Sequence, residues 1–226
     1  MNHLIQIMEY IAVISFSVSA TICAVRKETD AIGALILSFL TSFGGGFLRD
    51  LTLGITPHIL WDAEYRILGL ICIFTSVVFF HLSFCKKFAE FFRVHSHDFL
   101  IDFSDAIGLS IFCVLGVEAA LQTKGSANAT LLIFCGCISG VGGGMLRDIC
   151  CGQIPSVLCK DVYILPALCG SAFYVFMHDR LPYPLALLLS VSFIILFRTL
   201  AILFHWNFPV PGRTEFRHRR REEKQK

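Results

Sequence analysis

Apolar residues gather into seven stretches, about Ile7 to Val25, Asp30 to Leu53, Ile67 to Cys85, Ser104 to Gln122, Ser126 to Cys150, Val162 to Met177 and Tyr183 to Phe204. Each is near the roughly 20 residues that carry a helix across a hydrocarbon core. Polar and turn-forming residues separate them. The pattern predicts an all-α, polytopic membrane protein with seven transmembrane helices. Glu9 lies inside the first stretch and no Lys or Arg precedes it, so that stretch reads as a retained span rather than a cleaved signal.

One segment occurs twice. Ser42-Phe-Gly-Gly-Gly-Phe-Leu-Arg-Asp-Leu-Thr-Leu-Gly-Ile-Thr-Pro57 aligns without a gap on Gly140-Val-Gly-Gly-Gly-Met-Leu-Arg-Asp-Ile-Cys-Cys-Gly-Gln-Ile-Pro155, at a constant offset of 98 residues. The copies fall in the second and fifth spans. Each therefore belongs to a three-span unit, and three being odd, the units enter the membrane from opposite sides. The predicted organisation is a 3+3 inverted repeat plus one: residues 5–88, residues 102–178, a closing helix over 183–205 and a basic cytoplasmic tail over 207–226. Inverted repeats are a signature of transporters and channels, with binding sites near the midplane on interrupted helices.

Three consecutive glycines weaken a helix by roughly 1 kcal/mol each relative to Ala. Gly44, Gly45 and Gly46, and Gly142, Gly143 and Gly144, therefore admit two readings. One is a helix break, leaving half-helices 47–53 and 145–151 whose N-termini suit a carboxylate. The other is a small-residue surface for close helix packing. The duplication, with Arg-Asp trailing each copy, favours the break.

Arg49, Asp50, Arg147 and Asp148 are costly in a bilayer, at roughly 2.5–3.5 kcal/mol per charge on insertion scales. Neighbours in sequence point about 100° apart on a helix, so the repeat symmetry suggests the pairs Arg49–Asp148 and Arg147–Asp50. The alternative is that each Arg-Asp ends its half-helix at the interface and is solvated. Asp105 and Glu118, at the ends of the fourth span, read as surface charges rather than pathway residues, and Glu9 and Arg198 as similar cases.

Composition agrees with a membrane protein: 55% of the 226 residues are hydrophobic, 22 are Phe, and mean hydropathy is +0.70. The net charge of +2 matters less than its distribution. With the N-terminus outside, Arg26, Lys27, Lys86, Lys87, Arg93, Lys160 and seven basic tail residues lie inside, whereas Arg66, Lys124 and Arg180 lie outside. Cytoplasmic loops are enriched in Lys and Arg, so N-outside, C-inside follows. The ten cysteines show no zinc spacing and read as buried, reduced thiols, with Cys150-Cys151 as packing at a helix end. His95-Ser-His97-Asp98 reads as a solvated loop rather than a metal site. No catalytic, nucleotide-binding or cofactor motif appears, and nothing outside the tail suits nucleic acid. The expectation is a non-enzyme without cofactor or metal, whose partners are the lipid bilayer and a small solute or ion.

At these residues the sequence resembles the bacterial membrane proteins built from two glycine-transporter domains, and more distantly the trimeric intracellular cation (TRIC) channels. Ala24-Val-Arg-Lys27 with Asp30, both Gly-Gly-Gly-x-Leu-Arg-Asp segments with Gly54 and Pro57 or Gly152 and Pro155, and Asp105-Ala-Ile-Gly108 carry the likeness. It runs from about Ile5 to His205. The resemblance implies kinked second and fifth helices, a homo-oligomer (a trimer in the channel relatives), a bacterial inner membrane, and transport of glycine or a similarly small amino acid. A TRIC-like monovalent cation channel is the alternative. Site residues on either reading are the six glycines with Arg49, Asp50, Arg147 and Asp148.

Overall fold

A computed structural model describes residues 3–83, 97–125, 128–159, 162–204 and 206, and among these every regular element is helical. In chain order they are α1 (His3–Arg26), α2 (Ala31–Leu53), α3 (His58–Trp61), α4 (Ala63–Ser83), α5 (His97–Lys124), α6 (Ala129–Cys150), α7 (Ser156–Cys159), α8 (Ile164–His178) and α9 (Tyr183–Leu203). Five helices are long and apolar enough to cross a membrane: α1, α2, α6, α9 and the Phe99–Lys124 part of α5. Two shorter apolar helices, Ile67–Leu82 within α4 and α8, accompany them. The side chains of His95, His97 and Asp98, the loop residues Lys86, Lys87, Arg93 and Lys160, His205 and the tail 207–226 lie outside what is described.

Helix ends follow from local chemistry. Asp30 caps α2 by accepting from the Gly33 N–H at 2.7 Å, and Asn128 caps α6 through the Thr130 N–H at 2.9 Å. Gly54 and Gly152 close the other ends with φ of 71° and 64°, a left-handed conformation that glycine adopts without a Cβ penalty. The main core lies between α1, α5, α6, α8 and α9, around Phe16, Leu109, Val117, Cys135, Tyr174 and Ile194. Large apolar side chains such as Ile32, Ile36, Phe74 and Leu196 stay exposed on the outer faces, as a lipid-facing surface requires.

The expected break at the glycines is absent: α2 and α6 run as unbroken α-helices through Gly44–Gly46 and Gly142–Gly144, and no half-helix starts there. The glycines instead let the two helices cross in backbone contact. A Cβ on Gly45 would strike the Ser139 carbonyl oxygen, and one on Gly143 would strike that of Thr41. Gly44 and Gly142 face Leu146 and Leu48 in the same reciprocal way. Thr41 and Ser139, like Leu48 and Leu146, are 98 residues apart, so the crossing sits on the pseudo-two-fold axis. The van der Waals packing of two backbones at such short range offsets the low helix propensity, and in lipid no water competes for the helical backbone groups.

Candidate functional site

Each repeated Arg-Asp builds the same local structure. Asp50 Oδ2 accepts from the His58 N–H at 3.0 Å, and Asp148 Oδ2 accepts from the Ser156 N–H at 2.7 Å. The carboxylate thus anchors the chain where it turns back after Gly54-x-x-Pro57 or Gly152-x-x-Pro155, which explains that spacing. The other carboxylate oxygen faces its neighbour. Arg49 donates from Nε at 2.8 Å and Nη2 at 2.7 Å to Asp50 Oδ1, while Arg147 does so at 3.0 and 2.9 Å to Asp148 Oδ1.

The expected cross-repeat pairs Arg49–Asp148 and Arg147–Asp50 are therefore not formed. The carboxylate is held from the far side by backbone, and a long guanidinium stem can curl back to an adjacent residue. The alternative of solvated ends fails as well, because all four side chains are buried.

Further polar groups complete each constellation. Asp105 accepts from Arg147 Nη1 at 2.7 Å and from the Tyr163 hydroxyl at 2.6 Å; Arg147 Nη1 also donates to Ser19 Oγ at 2.6 Å. Arg198 of α9 lies 4.0 Å over the Tyr163 ring and donates to the Val162 carbonyl at 3.2 Å. In the first constellation Tyr65, 98 residues before Tyr163, stands beside Arg49, and Glu9 lies close to Tyr65. His58 Nδ1 is 2.9 Å from Asp50 Oδ2, where the second copy has Ser156.

Glu9 and Glu118 are 8% exposed, Arg198 3% and Asp105 1%. All four are packed inside the protein rather than standing as surface charges. Tyr65 and Tyr163 belong to no motif in the sequence and were overlooked there, although the 98-residue offset points straight to them.

The two constellations differ in what surrounds the third glycine. Gly46 lines a cavity of about 220 Å³ together with Glu9, Ser42, Arg49, Asp50, His58, Asp62, Tyr65 and Glu118. A second cavity, about 400 Å³, shares Glu118 and Gln122 with it and reaches His178 and Asp179. At Gly144 the corresponding space is filled: a Cβ there would meet the Tyr163 hydroxyl at 2.7 Å and Asp105 Oδ1 at 3.1 Å. Charge differs too. Among the described lining residues the open cavity sets Glu9, Asp50, Asp62 and Glu118 against Arg49, whereas the filled side balances Asp105 and Asp148 with Arg147 and Arg198.

Buried hydroxyls line the α1–α2–α4 contact beside that cavity. Ser17 Oγ lies 3.2 Å from Ser42 Oγ, and Thr21, Ser38 and Ser76 are linked at 3.0–3.1 Å. Among the described residues no group of three or more His, Cys, Asp or Glu side chains is placed to hold a metal ion.

The glycine transporter family model matches residues 6–83 and 102–179. The chain belongs to the glycine transporter family. It is 32% identical to a UPF0126 membrane protein of Vibrio cholerae, over 86% of this chain and 77% of the relative. It is 29% identical to the UPF0126 membrane protein YvgT of Bacillus subtilis, over 90% and 95%. With the inner membrane protein YadS of Escherichia coli it shares 26% identity over 86% and 89%.

Solved TRIC structures share the fold. A prokaryotic TRIC channel crystallised in 0.5 M KCl superposes with a TM-score of 0.80 at 29% identity, covering 92% of this chain and all of that one. The trimeric intracellular cation channel orthologue from Rhodobacter sphaeroides does so at 0.77 and 32%, covering 89% and 98%. This family member is a multi-pass membrane transport protein whose relatives are membrane proteins and channels rather than enzymes.

Proposed function

We propose that the protein conducts monovalent cations in the manner of the TRIC channels, along a path that enters at the acidic cavity beside Gly46 and passes the α2–α6 crossing. The observation that carries this reading is the charge of the cavity. Glu9, Asp50, Asp62 and Glu118 surround it, while Arg49, the guanidinium among the described lining residues, directs two N–H groups at Asp50. Rings of carboxylates attract cations and concentrate them at a pore mouth. The buried hydroxyls from Ser42 to Ser76 supply oxygen ligands deeper in the bundle.

In this reading the five long and two shorter apolar helices together span the bilayer as a 3+3+1 inverted repeat, and the protein sits in a bacterial inner membrane as a homo-oligomer, a trimer like its channel relatives. The Lys and Arg distribution puts the N-terminus and the open cavity outside, with the filled Gly144 side and the basic tail in the cytoplasm. The glycines hold the two halves together, and Arg49, Asp50, Arg147 and Asp148 fix the turns that frame each mouth. In that orientation the protein is open outward and closed inward.

Transport of glycine, favoured by the family model's description, is the second reading. The feature that would have held a carboxylate, a half-helix N-terminus at the glycines, is not formed. Purified protein in liposomes separates the two readings. Potassium-driven flux without saturable glycine uptake supports the channel; saturable uptake of labelled glycine without current supports the carrier.

A further inference from the structure

Cys23 of α1 and Cys151 at the end of α6 place their sulfurs 3.0 Å apart across 128 residues of chain. Ser19 and Arg147, bonded at 2.6 Å, are also 128 residues apart. Cys23 follows Ser19 by four residues and Cys151 follows Arg147 by four, so each pair of neighbours lies on one helix face. The Cys151 N–H still bonds the Arg147 carbonyl at 2.9 Å, which continues the helical turn to the cysteine. Two successive rungs thus join the parallel helices α1 and α6, one an arginine–serine bond and the other a pair of thiols.

We propose that Cys23 and Cys151 form a redox-sensitive cross-link that locks the filled side of the protein shut. The sulfurs need to approach by only about 1 Å to reach the 2.03–2.05 Å bond length. Cys23 is buried, Cys151 is half-buried and its neighbour Cys150 is exposed, so Cys151 is the thiol a small oxidant reaches. With a hydroperoxide as oxidant, the Cys151 sulfur attacks the peroxide oxygen, the O–O bond breaks, and a sulfenic acid forms with release of water or an alcohol. The Cys23 sulfur then attacks the Cys151 sulfur, the S–O bond breaks, and its hydroxide leaves as water with the Cys23 proton. Two thiols lose two electrons and the peroxide gains them.

The covalent rung lies one helical turn from Arg147, which binds Asp105 and through it Tyr163 over Gly144. Holding α1 against α6 keeps Ser19 on Arg147 and the network assembled. On the topology proposed above, these thiols face the cytoplasm, where they stay reduced until oxidant rises. The locking effect rests on the channel reading; the cross-link itself does not.

The test treats the full-length protein in liposomes with hydrogen peroxide and follows both peptide mass and potassium flux. The expected result is a Cys23–Cys151 disulfide and a several-fold fall in flux, both reversed by dithiothreitol, both absent in Cys23→Ser or Cys151→Ser and both kept in Cys150→Ser. Thiols that stay free, or a bond made through Cys150 instead, overturn the site. The expected bond with unchanged flux overturns the lock. If reduced protein shows no flux, the channel reading fails while the peptide map still decides the thiol pair.

Discussion

Gly142 lies so close to Gly45 that a methyl group on it would stand 3.1 Å from the Gly45 Cα. The α2–α6 crossing therefore has no room for a side chain on Gly45 or Gly143 at its centre, and it is the joint between the two halves of the molecule. Its symmetry stops at the third glycine, where Gly46 faces open space and Gly144 faces Tyr163 and Asp105.

That difference makes alanine a probe of each position. Gly45→Ala and Gly143→Ala drive a Cβ into a backbone carbonyl, which cannot move aside cheaply, and should destabilise by about 1–3 kcal/mol or more. Gly46→Ala meets only the tip of Arg49 at 3.9 Å and gains helix propensity, so stability should hold or rise slightly. Thermal unfolding in detergent measures all three.

Arg147 and Arg49 should differ in the same assay. Arg147→Ala removes the guanidinium that bonds both Asp105 and Asp148, a loss of about 3–5 kcal/mol by analogy with broken buried pairs. Arg49→Ala leaves Asp50 its bonds to the His58 backbone and ring, so the drop in melting temperature should be smaller.

The repeat and the membrane class were legible because they rest on periodicity and spacing. The glycine break was misread because propensity is a local cost, whereas the packing that outweighs it comes from a helix 98 residues away. The Arg-Asp neighbours pair because Asp50 and Asp148 are held by backbone after Pro57 and Pro155, a constraint visible only once the turn is built. Glu9, Asp105, Glu118 and Arg198 looked like surface charges since single charges carry no period. Glu9 and Asp105 are moreover 96 residues apart, two short of the motif's offset, so a rigid alignment misses them.

Tyr163 should act as the plug over Gly144. Tyr163→Phe removes the hydroxyl that donates to Asp105 Oδ2, costing about 1–3 kcal/mol for the unsatisfied carboxylate oxygen. It also frees the space beside Gly144, so potassium flux should increase. Tyr65→Phe, on the side already open, should leave flux unchanged or lower. Paired liposome flux assays on the two variants compare them directly.

The reversal potential across a planar bilayer holding the protein in a potassium chloride gradient tests the central claim most directly, with Glu9→Gln and Glu118→Gln alongside. Cation conduction through the acidic cavity predicts a reversal near the potassium equilibrium potential for the native protein. It predicts a shift toward zero when either carboxylate is neutralised. Anion selectivity, or a reversal potential untouched by both substitutions, would contradict a path selected by that cavity.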